Sequence, residues 1–409
     1  MFFRHARPAV IGAVVALAGL GAPLRVLAEP LTLADALARA QAQSPLMTAA
    51  QAQVTAAEGR ARQAGLPPNP EAGLQAENFA GSGQYGDFAS TETTLSVSQR
   101  LELGGKRRTR LAAASAEVEA ARLGLSIARA DLSQEVSVRY AEALAGRDRL
   151  ALARDTAERA GDLSKVAATL VEAGREPPLR ALRAEAASRE AAAEVTAAEA
   201  EAAAARRALV TLWGEAGEVV DLVDASLAAP ASRALVDPGE TLDLRLARAD
   251  RRTAEAVIDR ERAVGRPDLT VQAGLRRFEQ TGDSALIVGF SAPIPVFNRN
   301  QGTVSAARAD ATVAEARERL ALARSVRTIR DAQASLVAAD ARLEALQGKI
   351  LPQAETAVDL ARRGFEAGKF SLLDVLDAQS ALTSARTDLI AARLERAKAL
   401  AALDRAAAQ

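Results

Sequence analysis

A proline-free tract runs from Lys106 to Ala173, preceded by two short stretches in which apolar and polar residues alternate, and that order recurs once more along the 409-residue chain. This duplication limits the fold more than any other feature. Val171-Glu172-Ala173-Gly174-Arg175 returns as Phe365-Glu366-Ala367-Gly368-Lys369, an offset of 194 residues. Pro70-Glu71 with Gln75 returns as Pro267-Asp268 with Gln272 at an offset of 197, and Leu101 and Leu103 return as Ile294 and Val296 at 193. The drift falls between the two alternating stretches, where a hairpin loop tolerates insertion. Two tandem halves, residues 29–214 and 242–409, are expected on either side of a linker at 215–241 that contains Pro230 and Pro238.

Each half opens with a helix. In the first, Thr32 and Asp35 have capping-box spacing; Gly65 with Pro67-Pro68 ends that helix, as Gly265 with Pro267 ends its counterpart. Period-two alternation follows. Ala72, Leu74 and Ala76 oppose Glu71, Gly73, Gln75 and Glu77; Leu95, Val97, Leu101 and Leu103 oppose Ser96, Ser98, Arg100 and Glu102. In the second half Leu269, Val271, Ala273 and Leu275, then Leu286, Val288, Phe290 and Ile294, make the apolar sets. Four strands with one apolar and one polar face result. They are too few to close a barrel and would leave two raw edges, so other subunits must complete it.

At about 1.5 Å per residue the tract from Lys106 to Ala173 would make a helix of roughly 100 Å. Leu343, Leu346, Ile350, Gln353, Ala357 and Leu360 step by three and four, as a heptad seam does. Abundant alanine lets such helices pack on more than one side, like staves. A soluble coiled-coil rod shares the heptads, but it has no use for four amphipathic strands.

Composition removes most chemistry. The chain has no cysteine, and its one histidine, His5, falls in residues 1–28, which read as a cleaved signal peptide: Arg4 and Arg7, an apolar run from Ala9 to Gly21, then Val26-Leu27-Ala28. Cleavage would remove Arg4, Arg7 and Arg25, leaving 49 bases against 52 acids. That near-neutral balance excludes a nucleic-acid partner. An exported chain without cysteine has no disulfide framework. Without histidine or cysteine no catalytic constellation, metal site or cofactor is indicated, and the chain does not read as an enzyme.

The run Gly368-Lys369-Phe370-Ser371-Leu372-Leu373-Asp374-Val375-Leu376-Asp377-Ala378, with the doubled strand and helix pattern, resembles the outer-membrane efflux protein family, whose best-known member is TolC. Leu101-Glu102-Leu103-Gly104-Gly105-Lys106-Arg107 is similar to the strand-to-helix junction of the CzcC-like branch that works with heavy-metal pumps. The resemblance implies a mainly α fold with a β-barrel portion: a homotrimer with four strands per protomer in a shared twelve-stranded barrel in outer-membrane lipid. A long α-helical coiled-coil barrel would continue it into the periplasm. It also implies a periplasmic adaptor docking at the tips around Gly174, Arg175, Gly368 and Lys369, and an inner-membrane pump of the resistance-nodulation-division type.

Asp374 and Asp377 share a helix face, so a trimer would stack them as carboxylate rings that raise one another's pKa; the plainer reading is a pair of helix-start acids favoured by the dipole. At the 194 offset Arg180 and Arg183 hold the positions of Asp374 and Asp377. Acid and base from adjacent tips would then hold the aperture shut. Phe370 stands where the best-known member carries an arginine, and a ring of Phe370 would form an apolar constriction. The expected function is a passive conduit for heavy-metal cations, with drugs or other small organics as the alternative cargo and a periplasmic structural coiled coil as the alternative of another class. Weak oxygen ligands suit passage, so selection of the metal would lie in the pump and adaptor.

Overall fold

The computed structural model describes residues 30–214, 222–223 and 237–409; the leader expected at 1–28 and most of the linker lie outside them. The first half contains α1 (Leu33–Gln43), α2 (Pro45–Ala64), β1 (Glu71–Glu77), β2 (Glu92–Leu101), α3 (Lys106–Glu172) and α4 (Pro178–Val210). The second contains α5 (Leu242–Val264), β3 (Leu269–Phe278), β4 (Ser284–Ser291), α6 (Gln301–Ala345), α7 (Leu351–Glu366) and α8 (Leu372–Ala406).

The expected capping box forms: the Asp35 N–H donates to Thr32 Oγ1 at 3.1 Å and the Thr32 N–H to Asp35 Oδ2 at 3.2 Å. Where the sequence promised one opening helix there are two. Pro45 cannot donate a helical hydrogen bond, and Ser44 caps both α1 and α2. α3 is unbroken over 67 residues. It packs on α2, α4, α5 and α8, while α6 packs on α5 and α8. The largest core cluster joins α1, the middle of α3 and the end of α4 around Leu132, Tyr140, Leu144, Leu209 and Trp213. The buried Tyr140 hydroxyl lies within 2.8 Å of the Leu31 carbonyl and 2.7 Å of the Val223 carbonyl, fastening the described part of the linker to the start of α1. Arg405, near the end of α8, bonds Asp131 of α3 and Asp243 of α5, so it ties the halves together.

The four strands form one antiparallel sheet in the order β1-β2-β3-β4. Register places Leu74, Leu95, Leu275 and Leu286 in one row and Ala72, Val97, Ala273 and Val288 in the next. These rows make a continuous apolar face that nothing in the protomer covers; Leu286 is 78% exposed and Phe290 70%. On the opposite face Arg276 joins Glu77, Glu92 and Thr94 across three strands. β1 and β4 are both open edges. β4 stops at Ser291, short of the expected Ile294, because Pro293 and Pro295 carry no N–H for the ladder.

The heptad seam holds only at its start. A π-helical turn, Leu346–Ile350, separates α6 from α7 and adds one residue to the turn. Leu346 is buried, but Ile350, Gln353, Ala357 and Leu360 are exposed; the stripe facing the protomer continues one residue later as Leu351, Ala354, Val358 and Ala361.

Candidate functional site

Two helical hairpins, α3–α4 and α7–α8, end in the same backbone motif. Gly174 and Gly368 both adopt positive φ (67° and 70°), a conformation open to glycine at little cost. The N–H of Arg175 donates to the Leu170 carbonyl and that of Gly174 to Val171; the N–H of Lys369 donates to Gly364 and that of Gly368 to Phe365. Each is a complete Schellman closure, so the sequence repeat is also a repeat of hydrogen bonds. Arg175 and Lys369 are both exposed there.

After the turns the hairpins diverge. α8 begins with a second capping box: the Ser371 N–H and hydroxyl donate to Asp374 Oδ2 at 2.7 Å each, and the Asp374 N–H returns to Ser371 Oγ. α4 begins with Pro177-Pro178 and has no side-chain cap; Arg180, at the position equivalent to Asp374, instead bonds Glu176 at 3.0 Å. The two tips touch. Leu372 is 1% exposed and packs with Ala167 and Ala184, with Leu163 and Phe365 around it.

This geometry revises part of the tip reading. The Asp374 carboxyl is held below the ordinary carboxylate range, first by the Ser371 hydroxyl, then by the Ser371 N–H, with a smaller attraction from Arg180. Within the protomer it is a helix cap, and the upward shift expected of a carboxylate ring is not its state there. Arg180 does sit close enough to act on Asp374. Asp377 and Arg183 are exposed, and no ion pair joins them among the described residues. The Phe370 ring folds back over Gly364, where a Cβ would overlap it, and is 50% exposed. Sequence reasoning missed Ser371, Gly364 and Leu372. Ser371-x-x-Asp374 repeats the spacing of Thr32-x-x-Asp35 and could have been read the same way; the contact of Gly364 with Phe370 leaves no local signal.

Above the tips, α3, α4 and α8 border a groove of about 610 Å³ whose polar lining includes Arg149, Asp155, Glu190, Glu194, Thr383 and Arg386. Arg386 crosses it to Asp155 at 2.8 Å. Among the described residues no cluster of His, Cys, Asp or Glu could hold a metal ion, and no helix is long and apolar enough to cross a membrane. An uncovered apolar sheet face backed by a polar one, continued by long helices, is the arrangement of a barrel strand set with its helical extension.

The family model described as outer membrane efflux protein matches residues 36–215 and 239–409. The chain belongs to this family. It is thus an outer-membrane efflux channel extending into the periplasm, not an enzyme. The chain is 32% identical over 370 residues to the cobalt-zinc-cadmium resistance protein CzcC of Cupriavidus metallidurans, covering 88% of this chain and 86% of that one. It is 36% identical over 319 residues to the nickel and cobalt resistance protein CnrC of the same organism, covering 76% and 74%. Among solved structures the channel CusC superposes with a TM-score of 0.81 at 18% identity, covering 92% of each chain. The fold is therefore TolC-like.

Proposed function

We propose that three copies assemble into the outer-membrane channel of a tripartite efflux system that exports heavy-metal cations. The supporting observation is the four-stranded sheet with an uncovered apolar face and two open edges, β1 and β4, in a family member whose relatives carry metal-resistance names. Closure between β1 of one protomer and β4 of the next gives twelve strands, the number the trimer requires. The two halves, 29–214 and 242–409, act as repeated units joined by the linker 215–241. Four helical staves from each protomer continue the barrel as a periplasmic tunnel. The exposed turns at Gly174-Arg175 and Gly368-Lys369 are the docking points for a periplasmic adaptor, which links the channel to an inner-membrane pump of the resistance-nodulation-division type.

Phe370, Asp374, Asp377, Arg180 and Arg183 border the aperture in this reading. Asp374 is committed to its cap, so Arg183 and Asp377 are the free pair with which neighbouring tips close. Conductance of Arg183→Ala trimers in planar bilayers should rise, and unchanged conductance in both Arg183→Ala and Asp377→Ala would remove them from the gate. Cargo is tested by a deletion strain challenged with cobalt, zinc, cadmium, copper and hydrophobic drugs. Sensitivity to the metals is expected; sensitivity to drugs alone would overturn the metal assignment.

A further inference from the structure

The first turn of α3 carries Lys106, Arg107, Arg108 and, one residue on, Arg110, with no acid among them, and Gly105 offers no side-chain cap. Cations at the positive end of a helix dipole are unfavourable, and over so long a helix the first N–H groups remain open acceptor-seeking donors. Two of the four charges are answered. Lys106 meets Asp268 at 2.8 Å and Arg110 meets Glu102 at 2.5 Å. Arg107 and Arg108 are exposed and belong to no ion pair among the described residues.

They do not stand alone. The Arg108 guanidinium lies beside Gly105, the stem of Arg266 lies across Gly104 and its Nη1 donates to the Gly104 carbonyl, and Gly265 abuts the Arg299 carbonyl. Arg107, Arg108, Arg266 and Arg299 thus form an exposed basic collar at the end of the sheet nearest the helices. The apolar sheet face runs directly into it. On the β2 side Leu101 and Leu103 precede the collar, and on the β4 side Ile294, Val296 and Phe297 do, with Ile294 84% and Phe297 91% exposed. From Leu95 to Leu103 is eight steps, about 27 Å of extended chain or roughly 20 Å of depth at a strand tilt of about 40°, which spans most of the roughly 25 Å apolar band of an outer-membrane barrel. The opposite end of the sheet carries Asp87, Glu279 and Asp283, and its Arg277 is paired with Glu279.

We infer that this collar binds the phosphate groups of anionic phospholipids in the inner leaflet of the outer membrane, with Phe297 and Ile294 seated among the acyl chains beside it. The occupant follows from position and charge: apolar side chains fix the depth of the membrane boundary, and guanidiniums that have no carboxylate partner among the described residues, two of them only donating to the Gly104 and Pro295 carbonyls, select a phosphate beside the open helix N–H groups at that depth. The inference rests on the barrel reading.

The test is retention of cardiolipin and of phosphatidylethanolamine, offered in equal amounts to the purified full-length protein and read by native mass spectrometry. Arg107→Gln/Arg108→Gln and, separately, Arg266→Gln/Arg299→Gln are compared with Arg324→Gln, an exposed arginine on α6 away from the collar. The unaltered protein and Arg324→Gln should prefer cardiolipin, and each guanidinium removed from the collar should reduce that preference by about fivefold. Equal retention of both lipids by the unaltered protein, or unchanged preference in both collar variants, would overturn the inference. An SDS-resistant trimer band, followed in parallel, reports on the barrel assembly separately.

Discussion

Asp374 and Arg180 occupy corresponding places in the two halves, three residues into a helix, and they do different work. Asp374 closes a capping box on Ser371, whereas Arg180 is tied to Glu176 behind a proline pair. Because the folded carboxyl titrates lower than in the unfolded chain, its contribution is fully present above the ordinary carboxylate range near pH 4 and is lost as pH falls through the folded value. The protection of the first amides of α8 against hydrogen exchange, taken relative to the intrinsic rate at each pH, should therefore be greatest at neutral pH and fall in acid, and Asp374→Asn should remove that dependence. Ser371→Ala should weaken the same turn by about 1 kcal/mol at any pH above that range. Leu372→Ala should cost more, about 2–5 kcal/mol, because it leaves a void between the two hairpins; limited proteolysis at Arg175 and Lys369 would report it. A protease-resistant Leu372→Ala tip would mean that the hairpins are held by their partners instead.

At the level of elements, strands and long helices were legible because both announce themselves through periodicity. Leu74 and Leu95 alternate with polar neighbours, and the absence of proline from Lys106 to Ala173 left nothing to interrupt α3. The capping box at Thr32 was legible for the same reason, being a local pattern. The seam through Ile350 and Leu360 was misplaced because a π turn changes the phase of a helix without a sequence signature of its own. The tip packing of Phe370 on Gly364 was hidden likewise, since it depends on the fold of a turn. Deleting Gly348 should collapse the π turn into an ordinary α turn and leave Leu351, Ala354, Val358 and Ala361 facing α8, whereas one alanine inserted after Leu351 should swing Ala354, Val358 and Ala361 by about 100° away from it. The insertion should lower the melting temperature of the helical region with the barrel unaffected, and the deletion should leave it near the original value. An unchanged melting temperature in the insertion variant would show that this stripe carries no packing role.

For the molecule as a whole, the sheet has an outside and an inside before any membrane is present. Val288→Arg places a charge on the uncovered apolar face and should destabilise the inserted barrel by about 2–4 kcal/mol, whereas Ser98→Arg on the polar face should be tolerated; heat resistance of the trimer on SDS gels separates the two. If Ser98→Arg were the more damaging, the faces would be assigned the wrong way round. The open edges of β1 and β4 carry a genetic consequence as well. A protomer with a spoiled edge takes part in every ring it joins, so equal amounts of normal and edge-defective chains would leave only roughly one ring in eight wholly sound. Mutations that disrupt β1 or β4 pairing while sparing assembly through the helices should therefore behave as dominant, and those that prevent the protomer from folding should be recessive.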